Sequence, residues 1–371
     1  MAEIDTAALK ANFAEVAGHG PDVVAQYFYG YLFLRNPETR DMFPPSMAKQ
    51  RDRLLGALVR IVTDVDNVGE LVPYLEDLGR DHRKFGTLAA HYPAVGEALI
   101  TTLRHFSEDS WTDKLQADWT AAYGIVADTM STAAQKVDES EPAWWDAEIT
   151  QVDLRTFDIA VLKVRTQTPH PYVAGQSISI EPTTLRPREW RLYTPANAPG
   201  GLEIELHVRL IDGGPVSTAL VRSASAGDKL RLGPPIGQLT LDPGPPRPLL
   251  LIGGSTGLAP LKAIIDQLAR DGGRPTHLYF GARSTREIYD RKDLELLAER
   301  YPWLTVVIVI SDDIRWKGPR GLLGNVVAGP DWSDHDVFVC GSPAMVKFTV
   351  AKLIRSGVPE NHIKFEDFGD A

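Results

Sequence analysis

Twice along its 371 residues the chain changes the spacing of its apolar side chains, and this double switch limits the folds open to it. Up to about residue 136 they recur at three- and four-residue steps: Leu54, Leu55, Leu58, Ile61, Val62 and Val65, then Leu71, Leu75, Leu78, His82 and Phe85. Leu115, Trp119, Tyr123, Val126 and Met130 continue the pattern. That is the period of helices burying one face, with breaks at Gly20-Pro21, Asn36-Pro37, Pro44-Pro45 and Pro93. From Ala147 the pattern shortens and predicts strands at Glu148–Leu154, Phe157–Arg165, Gln176–Glu181, Arg188–Thr194, Leu202–Ile211 and Lys229–Leu232. Glycine turns at Gly175, Gly213-Gly214, Gly227 and Gly233 separate them, as in an antiparallel barrel. From Pro248 wholly apolar runs (Leu249–Ile252, Thr276–Phe280, Thr305–Ile310, Val337–Cys340) alternate with helical stretches at Leu261–Arg270, Asp290–Arg300 and Ala344–Arg355. Strands buried on both faces and alternating with helices make a parallel, doubly wound sheet. The chain therefore reads as multidomain: an all-α domain at 1–136, an acidic linker at 137–146, an antiparallel β-barrel domain at 147–245, and an α/β doubly wound domain at 246–371.

Bulk properties remove several function classes. A net charge of −10 disfavours nucleic acid as a partner. No run of about 18 apolar residues exists to make a transmembrane segment, and the acidic start Met1-Ala2-Glu3-Ile4-Asp5 lacks a signal-peptide core. A single cysteine, Cys340, forbids an internal disulfide and suits a reducing, cytoplasmic setting. Oligomeric state is left open by these numbers.

Four short stretches carry chemistry. Arg191-Leu192-Tyr193-Thr194 ends an extended segment, where Arg191 and Tyr193 present to one face and Thr194 to the other. Such a set suits a planar, phosphate-bearing ligand. Gly213-Gly214-Pro215-Val216-Ser217-Thr218 leads a glycine turn into a helix start, a natural diphosphate site. Gly253-Gly254-Ser255-Thr256-Gly257-Leu258-Ala259-Pro260 ends the first strand of the last domain; its glycines allow close backbone approach, and Pro260 opens a helix without wasting an amide. Cys340-Gly341-Ser342-Pro343 ends the last strand noted, where doubly wound folds bind ligands; a small buried thiol in a turn is the plainer alternative. Arg283-Ser284, after the second strand, offers a partner for a phosphate, although such an arginine is also common on surfaces. The acidic stretch Asp331–Asp336 reads as a solvated turn.

The helical third resembles a globin of the kind found in flavohaemoglobins. The likeness runs through Tyr29–Glu38, Asp41-Met42-Phe43, Gln50–Leu54, Gly79-Arg80-Asp81-His82 and His91–Glu97. It implies a non-covalently held haem b with His82 as the proximal iron ligand. Tyr29 and Gln50 would face dioxygen, Phe43 would wedge the porphyrin, and Leu54 would line the gas pocket. Family members also polarise the proximal side through a tyrosine and an acid on the last globin helix. Tyr92 matches the tyrosine, but where the acid is expected this chain reads Ala133-Ala134.

The barrel and the last domain resemble the ferredoxin-reductase-like family. That likeness implies FAD held by Arg191, Tyr193 and Thr194 together with Val216, Ser217 and Thr218. It implies NAD(P)H held by Gly254, Thr256, Gly257, Pro260, Arg283, Cys340 and Gly341, with Arg283 as a partner for a 2′-phosphate tilting the choice towards NADPH, and with Phe368 shielding the flavin. The order of modules implies electron flow from NAD(P)H through FAD to haem, and a nitric oxide dioxygenase using O2 and NO. A gas-binding or sensing globin kept ferrous by its reductase, or a reductase for an external acceptor, are the alternatives.

Overall fold

The computed structural model describes residues 4–138 and 141–367 and divides the chain into two compact units, 1–143 and 144–371. The first unit holds six α-helices: α1 (Thr6–Ala17), α2 (Pro21–Arg35), α3 (Ala48–Thr63), α4 (Val68–His82), α5 (Tyr92–Ser107) and α6 (Asp113–Asp138). No strand occurs among its described residues, as the period predicts. Proline fixes two starts: Pro21 is the first residue of α2, and Pro37 opens a 3-10 turn over Pro37–Met42, because neither needs an amide there. Leu9, Phe28, Leu32, Leu99, Leu103 and Trp119 form the core. A closed polar knot crosses it: Trp119 Nε1 donates to Asn12 Oδ1 (2.9 Å), and Asn12 Nδ2 to Ser107 Oγ (2.6 Å). Helices α4 and α6 meet at Gly79, where a Cβ would lie 2.3 Å from the Met130 carbonyl oxygen. Only glycine allows that approach, which seats the last turn of α4.

The second unit begins with an antiparallel sheet of six strands: β1 (Trp145–Leu154), β2 (Ile159–Thr166), β3 (Ser177–Glu181), β4 (Arg191–Tyr193), β5 (Glu203–Arg209) and β6 (Lys229–Ile236). Their order is β4-β3-β6-β1-β2-β5, with α7 (Pro215–Arg222) between β5 and β6 in sequence. Closure comes from the residues after β4: Pro195 bridges Leu206, and Ala196 N–H donates to the Glu205 carbonyl (2.8 Å). Strand β4 is three residues long, not the seven of Arg188–Thr194, because the chain must leave β3 to reach β5. Helix α6 runs to Asp138 and β1 opens at Trp145, so regular structure reaches into both ends of the expected linker.

The remainder is a parallel sheet ordered β11-β10-β7-β8-β9. Its strands are β7 (Leu249–Gly254), β8 (Thr276–Ala282), β9 (Leu304–Ile310), β10 (Asp336–Gly341) and β11 (Ile363–Asp367). Helices α8 (Leu258–Arg270), α9 (Arg291–Arg300), α10 (Leu323–Val327) and α11 (Pro343–Arg355) accompany it. Leu249 to Ile252 are fully buried, as a central parallel strand requires. Two sequence readings are corrected here. Asp331–Asp336 is not merely a solvated turn: Trp332 is buried, and Asp336 starts β10. Helix α8 opens at Leu258 after a 3-10 turn, so Pro260 is its third residue, still among the positions whose amide has no intrahelical partner. Among the described residues no helix is long and apolar enough to cross a membrane.

Candidate functional site

His82 is the last residue of α4, and its Nδ1 lies 2.7 Å from the Leu78 carbonyl oxygen, to which it donates. Burial lowers its pKa, so the ring is neutral. Nε2 then keeps its lone pair and has no hydrogen-bond partner among the described residues. A neutral imidazole of fixed tautomer with a free Nε2 has the donor chemistry that haem iron takes on one axial side.

On α2, Tyr29 is buried, with Phe43 edge-on at 5.5 Å and Phe33 at 5.7 Å. Phe43 follows the 3-10 turn directly. The Tyr29 hydroxyl reaches the Gln50 backbone oxygen at 3.4 Å, a long contact that leaves most of its donor strength unused. Burial pushes its pKa up to about 12, so it remains protonated. Gln50 lies in the first turn of α3, which opens at Ala48. One turn on, Leu54 lines a largely apolar cavity of about 30 Å³ with Phe28, Leu58 and Leu103. Tyr29, Phe43 and Gln50 are thus brought together, whereas Leu54 faces a cavity that none of the three lines.

Tyr92 opens α5 and packs with Leu71, Leu75, Leu78 and Met130. Burial raises its hydroxyl pKa, and the Ser131 hydroxyl nearby opposes that rise. Where the sequence reading looked to Ala133-Ala134 for an acid, Ala133 is core and the polar side chain near Tyr92 is the neutral Ser131 hydroxyl.

In the barrel, Arg191 and Tyr193 pair with Ile180 and Ile178 of β3. Leu192 points to solvent between them. The Arg191 guanidinium folds back on the Trp190 carbonyl (2.7 Å). Thr194 is buried, its Oγ1 2.7 Å from Ser177 Oγ, and Ser177 donates to Glu366 Oε1 at 3.1 Å. Thr194, Ser177 and Glu366 form a line of polar atoms that ends on Glu366 Oε2, which is buried without a partner. Burial raises the Glu366 pKa. Glu366 also lines a groove of about 630 Å³ with Gly237, Leu239 and Phe365. An orphaned carboxyl oxygen beside an open groove fits a ligand that brings its own donor, as a flavin or nicotinamide edge does.

The Gly213–Thr218 motif differs from its sequence reading. Ser217 Oγ accepts from Ile211 N–H (3.1 Å) and donates to the Gly214 carbonyl (3.2 Å), and Val216 is fully buried in the barrel core. Their side chains brace the turn, leaving the first amides of α7 to meet a diphosphate. Thr218 N–H is taken by the Gly214 carbonyl (3.0 Å). Gly214 is needed because a Cβ would lie 2.7 Å from Ser217 Oγ.

At the ends of β7 and β10 the two expected nucleotide turns meet. A Cβ on Gly257 would lie 2.4 Å from the Cys340 oxygen, one on Gly254 2.9 Å from Met345 Cε, and one on Gly341 2.5 Å from that same atom. Thr256 sits in the 3-10 turn between them. The Cys340 thiol is fully buried and burial raises its pKa well above normal, so only its backbone borders the crevice. Arg283 is exposed, but its guanidinium is held by Glu287 through Nη2 (3.2 Å) and Nε (3.3 Å). Phe368 lies outside the described residues.

Family models match three successive segments: globin over residues 26–130, the oxidoreductase FAD-binding domain over 146–241 and the oxidoreductase NAD-binding domain over 251–351. The chain is 26% identical over 389 residues to the flavohemoprotein of Rhizobium meliloti, covering 97% of this chain and 96% of that protein. It is 28% identical over 403 residues to that of Bordetella parapertussis, covering 98% and 97%. The crystal structure of flavohemoglobin from Malassezia yamatoensis, with bound FAD and heme, superimposes with a TM-score of 0.79 over 98% of each chain at 20% identity, a likeness of fold. The chain belongs to the flavohaemoglobin family. It is an NAD(P)H-dependent oxidoreductase with haem, FAD and nicotinamide sites. The reductase half alone is 33% identical over 226 residues to a ferredoxin–NAD(P)+ reductase component of the naphthalene 1,2-dioxygenase/salicylate 5-hydroxylase systems from Ralstonia sp, covering 59% of this chain and 67% of that protein.

For this flavohaemoglobin family member, the geometry adds residues to which sequence reasoning gave no role of their own. Ser177 and Glu366 complete the line from Thr194. Arg209 on β5 donates to Ser255 Oγ (3.0 Å) in the glycine-rich turn while holding Asp158 (3.1 Å). Ser255 itself takes a left-handed φ of 54°. Only Glu287 had a legible signal, its i,i+4 spacing from Arg283.

Proposed function

We propose that this chain is a nitric oxide dioxygenase that uses NADH. The observation that carries the reading is the pairing, in one chain, of a free neutral His82 Nε2 and an unspent Tyr29 donor with a complete flavin and nicotinamide module. When bound, FAD supplies conversion of a two-electron hydride into single electrons, and haem iron supplies a one-electron centre for O2 and NO. His82 holds the iron with a neutral ring oriented by Leu78. The protonated Tyr29 hydroxyl and the nearby Gln50 amide donate towards the oxygen side, stabilising negative charge as it develops. The rings of Phe33 and Phe43 against Tyr29 keep water from competing. The reaction balances as two NO, two O2 and one NADH giving two nitrate, NAD+ and one proton. In the haem- and flavin-loaded protein under O2, NO should therefore accelerate NADH consumption with two nitrate formed per NADH. Unchanged NADH turnover on adding NO would sink the assignment. The 33% identity of the reductase half favours a second reading, delivery to an external protein acceptor. That reading requires NADH turnover to depend on the acceptor and not on NO.

We infer a preference for NADH, against the tilt towards NADPH that Arg283 alone suggests. Glu287 already neutralises Arg283 and places a carboxylate where a 2′-phosphate would sit, whereas a ribose 2′-hydroxyl can donate to it. Glu287→Gln should lower KM for NADPH about tenfold or more, since like-charge contact costs several kcal/mol, and should weaken NADH slightly. Steady-state flavin reduction with both cofactors tests this; an unchanged NADPH-to-NADH ratio would refute it.

A further inference from the structure

Strand β5 turns three polar side chains to one face, and each meets a different element of the nicotinamide half. Glu205 Oε1 accepts from Lys262 Nζ on α8 (3.1 Å). His207 Nδ1 accepts from the Tyr289 hydroxyl (2.7 Å), while its Nε2–H donates to Glu205 Oε1 (2.9 Å). Arg209 reaches Ser255 in the glycine-rich turn. Lys262 also grips Asp290 Oδ2 at 2.6 Å, and Asp290 Oδ1 accepts from Arg155 (3.1 Å) at the β1–β2 turn of the barrel. Arg155 in turn reaches Asp153 and Asp293. Asp290 is fully buried, and Lys262 and His207 nearly so.

Apolar contact would join the two halves at lower cost, because burying each ion costs several kcal/mol before its partners compensate. Burial raises the Glu205 pKa, but the bonds from His207 and the charge of Lys262 outweigh it and leave the carboxyl ionised. Asp290 shows a second expense. It occupies the N-cap position of α9, yet its side chain caps nothing and is turned instead to Lys262 and Arg155. Local helix stability is given up for a contact across the two halves. Such contacts are directional, whereas apolar faces can slide. Lys262 lies one turn into α8, the helix that springs from the glycine-rich turn, and Asp290 closes the loop that carries Arg283 and Glu287. The cluster thus grips both nucleotide-holding segments from the flavin-holding barrel.

We propose that Lys262, bonded to Glu205 and Asp290, is a positioning residue for hydride transfer, fixing the register of the nicotinamide turns against the barrel face that carries Tyr193 and Thr194. The proposal rests on the flavin and nicotinamide assignments and is independent of NO chemistry. Its test is anaerobic flavin reduction by NADH in the flavin- and haem-loaded protein, followed by rapid mixing. Lys262→Met leaves Asp290 with Arg155 alone and Glu205 with His207 alone, an uncompensated negative charge that is expected to destabilise the fold. The deciding variant is therefore the triple Glu205→Gln, Lys262→Met, Asp290→Asn, which removes all three charges at nearly constant volume. It should melt near the parent temperature and bind FAD and NADH normally. Its limiting rate of flavin reduction should nonetheless fall about tenfold to a hundredfold, the cost of small misplacement of reacting atoms. The deuterium isotope effect with NADH labelled at the transferred position should rise. A folded triple variant with the parent's limiting rate and isotope effect overturns the proposal. Loss of NADH saturation with an unchanged limiting rate would also overturn it, by showing a binding role instead.

Discussion

Replacing His82 with alanine is expected to give a protein that keeps FAD, is reduced by NADH at the parent's rate, and has no Soret band. The imidazole is the group whose geometry fits iron: neutral, tied to Leu78 through Nδ1, and free at Nε2. Its removal costs the fold little. His82 is the last residue of α4, alanine is the better helix former, and the Leu78 carbonyl lies in a helix whose backbone remains. The close seating of α4 on α6 at Gly79 and Met130 does not involve the ring. The flavin and nicotinamide residues belong to a separate compact unit, so flavin reduction has no reason to change. Absorbance after purification in the presence of haem, circular dichroism and anaerobic flavin reduction together check the claim. Added imidazole should partly restore Soret absorption by occupying the vacated space. Full haem retention in the alanine variant would remove His82 from its assigned role, and so would loss of flavin reduction.

How much of this was legible in the sequence depends on whether the information is periodic or spatial. The apolar spacing around Leu54 to Val65 and Leu71 to His82 predicts helices, and α3 and α4 lie there. Fully apolar runs such as Leu249–Ile252 predict buried parallel strands, and β7 is one. Strand β11 escaped notice because Ile363-Lys364-Phe365-Glu366-Asp367 alternates weakly and pairs only at the sheet's edge, with β10. Strand β4 was overestimated because nothing local announces that the chain must cross to β5 at Pro195. The partner of Tyr92 was sought by residue type, as an acid; the fold supplies Ser131, a hydroxyl that looks like any other on a long helix. Glu366 meets Ser177 across 189 residues, a distance no motif spans. Arg283 shows the opposite failure. Its partner Glu287 stood one helical turn away, but a charge read singly looks like a phosphate ligand until its own counterion is counted.

Gly257→Ala should slow flavin reduction by nicotinamide about a hundredfold while leaving flavin content and haem intact. The backbone at Gly257 has an ordinary helical conformation, so alanine brings no dihedral strain there. The cost is contact: the new Cβ would sit 2.4 Å from the Cys340 oxygen, 2.6 Å from its carbonyl carbon and 2.8 Å from Gly341 N. These are backbone atoms of β10, paired with β7 on one side and β11 on the other, and they cannot rotate aside. The glycine-rich turn must therefore lift from the strand end, at a stability cost of about 1–3 kcal/mol typical of overpacking. Lifting it separates the two turns that border the crevice, and a displacement of about 1 Å at such a site costs on the order of a hundredfold in rate. Dithionite, which needs no nucleotide site, should still reduce the flavin fully. Gly30→Ala is the matched control, because a Cβ at Gly30 meets nothing within 4 Å and alanine strengthens a helix interior. If Gly257→Ala is reduced by NADH as fast as the control, the contact between the two turns does not shape the nicotinamide site. If dithionite also fails, the barrel rather than the nucleotide crevice has been damaged, and the two turns are not the independent site described.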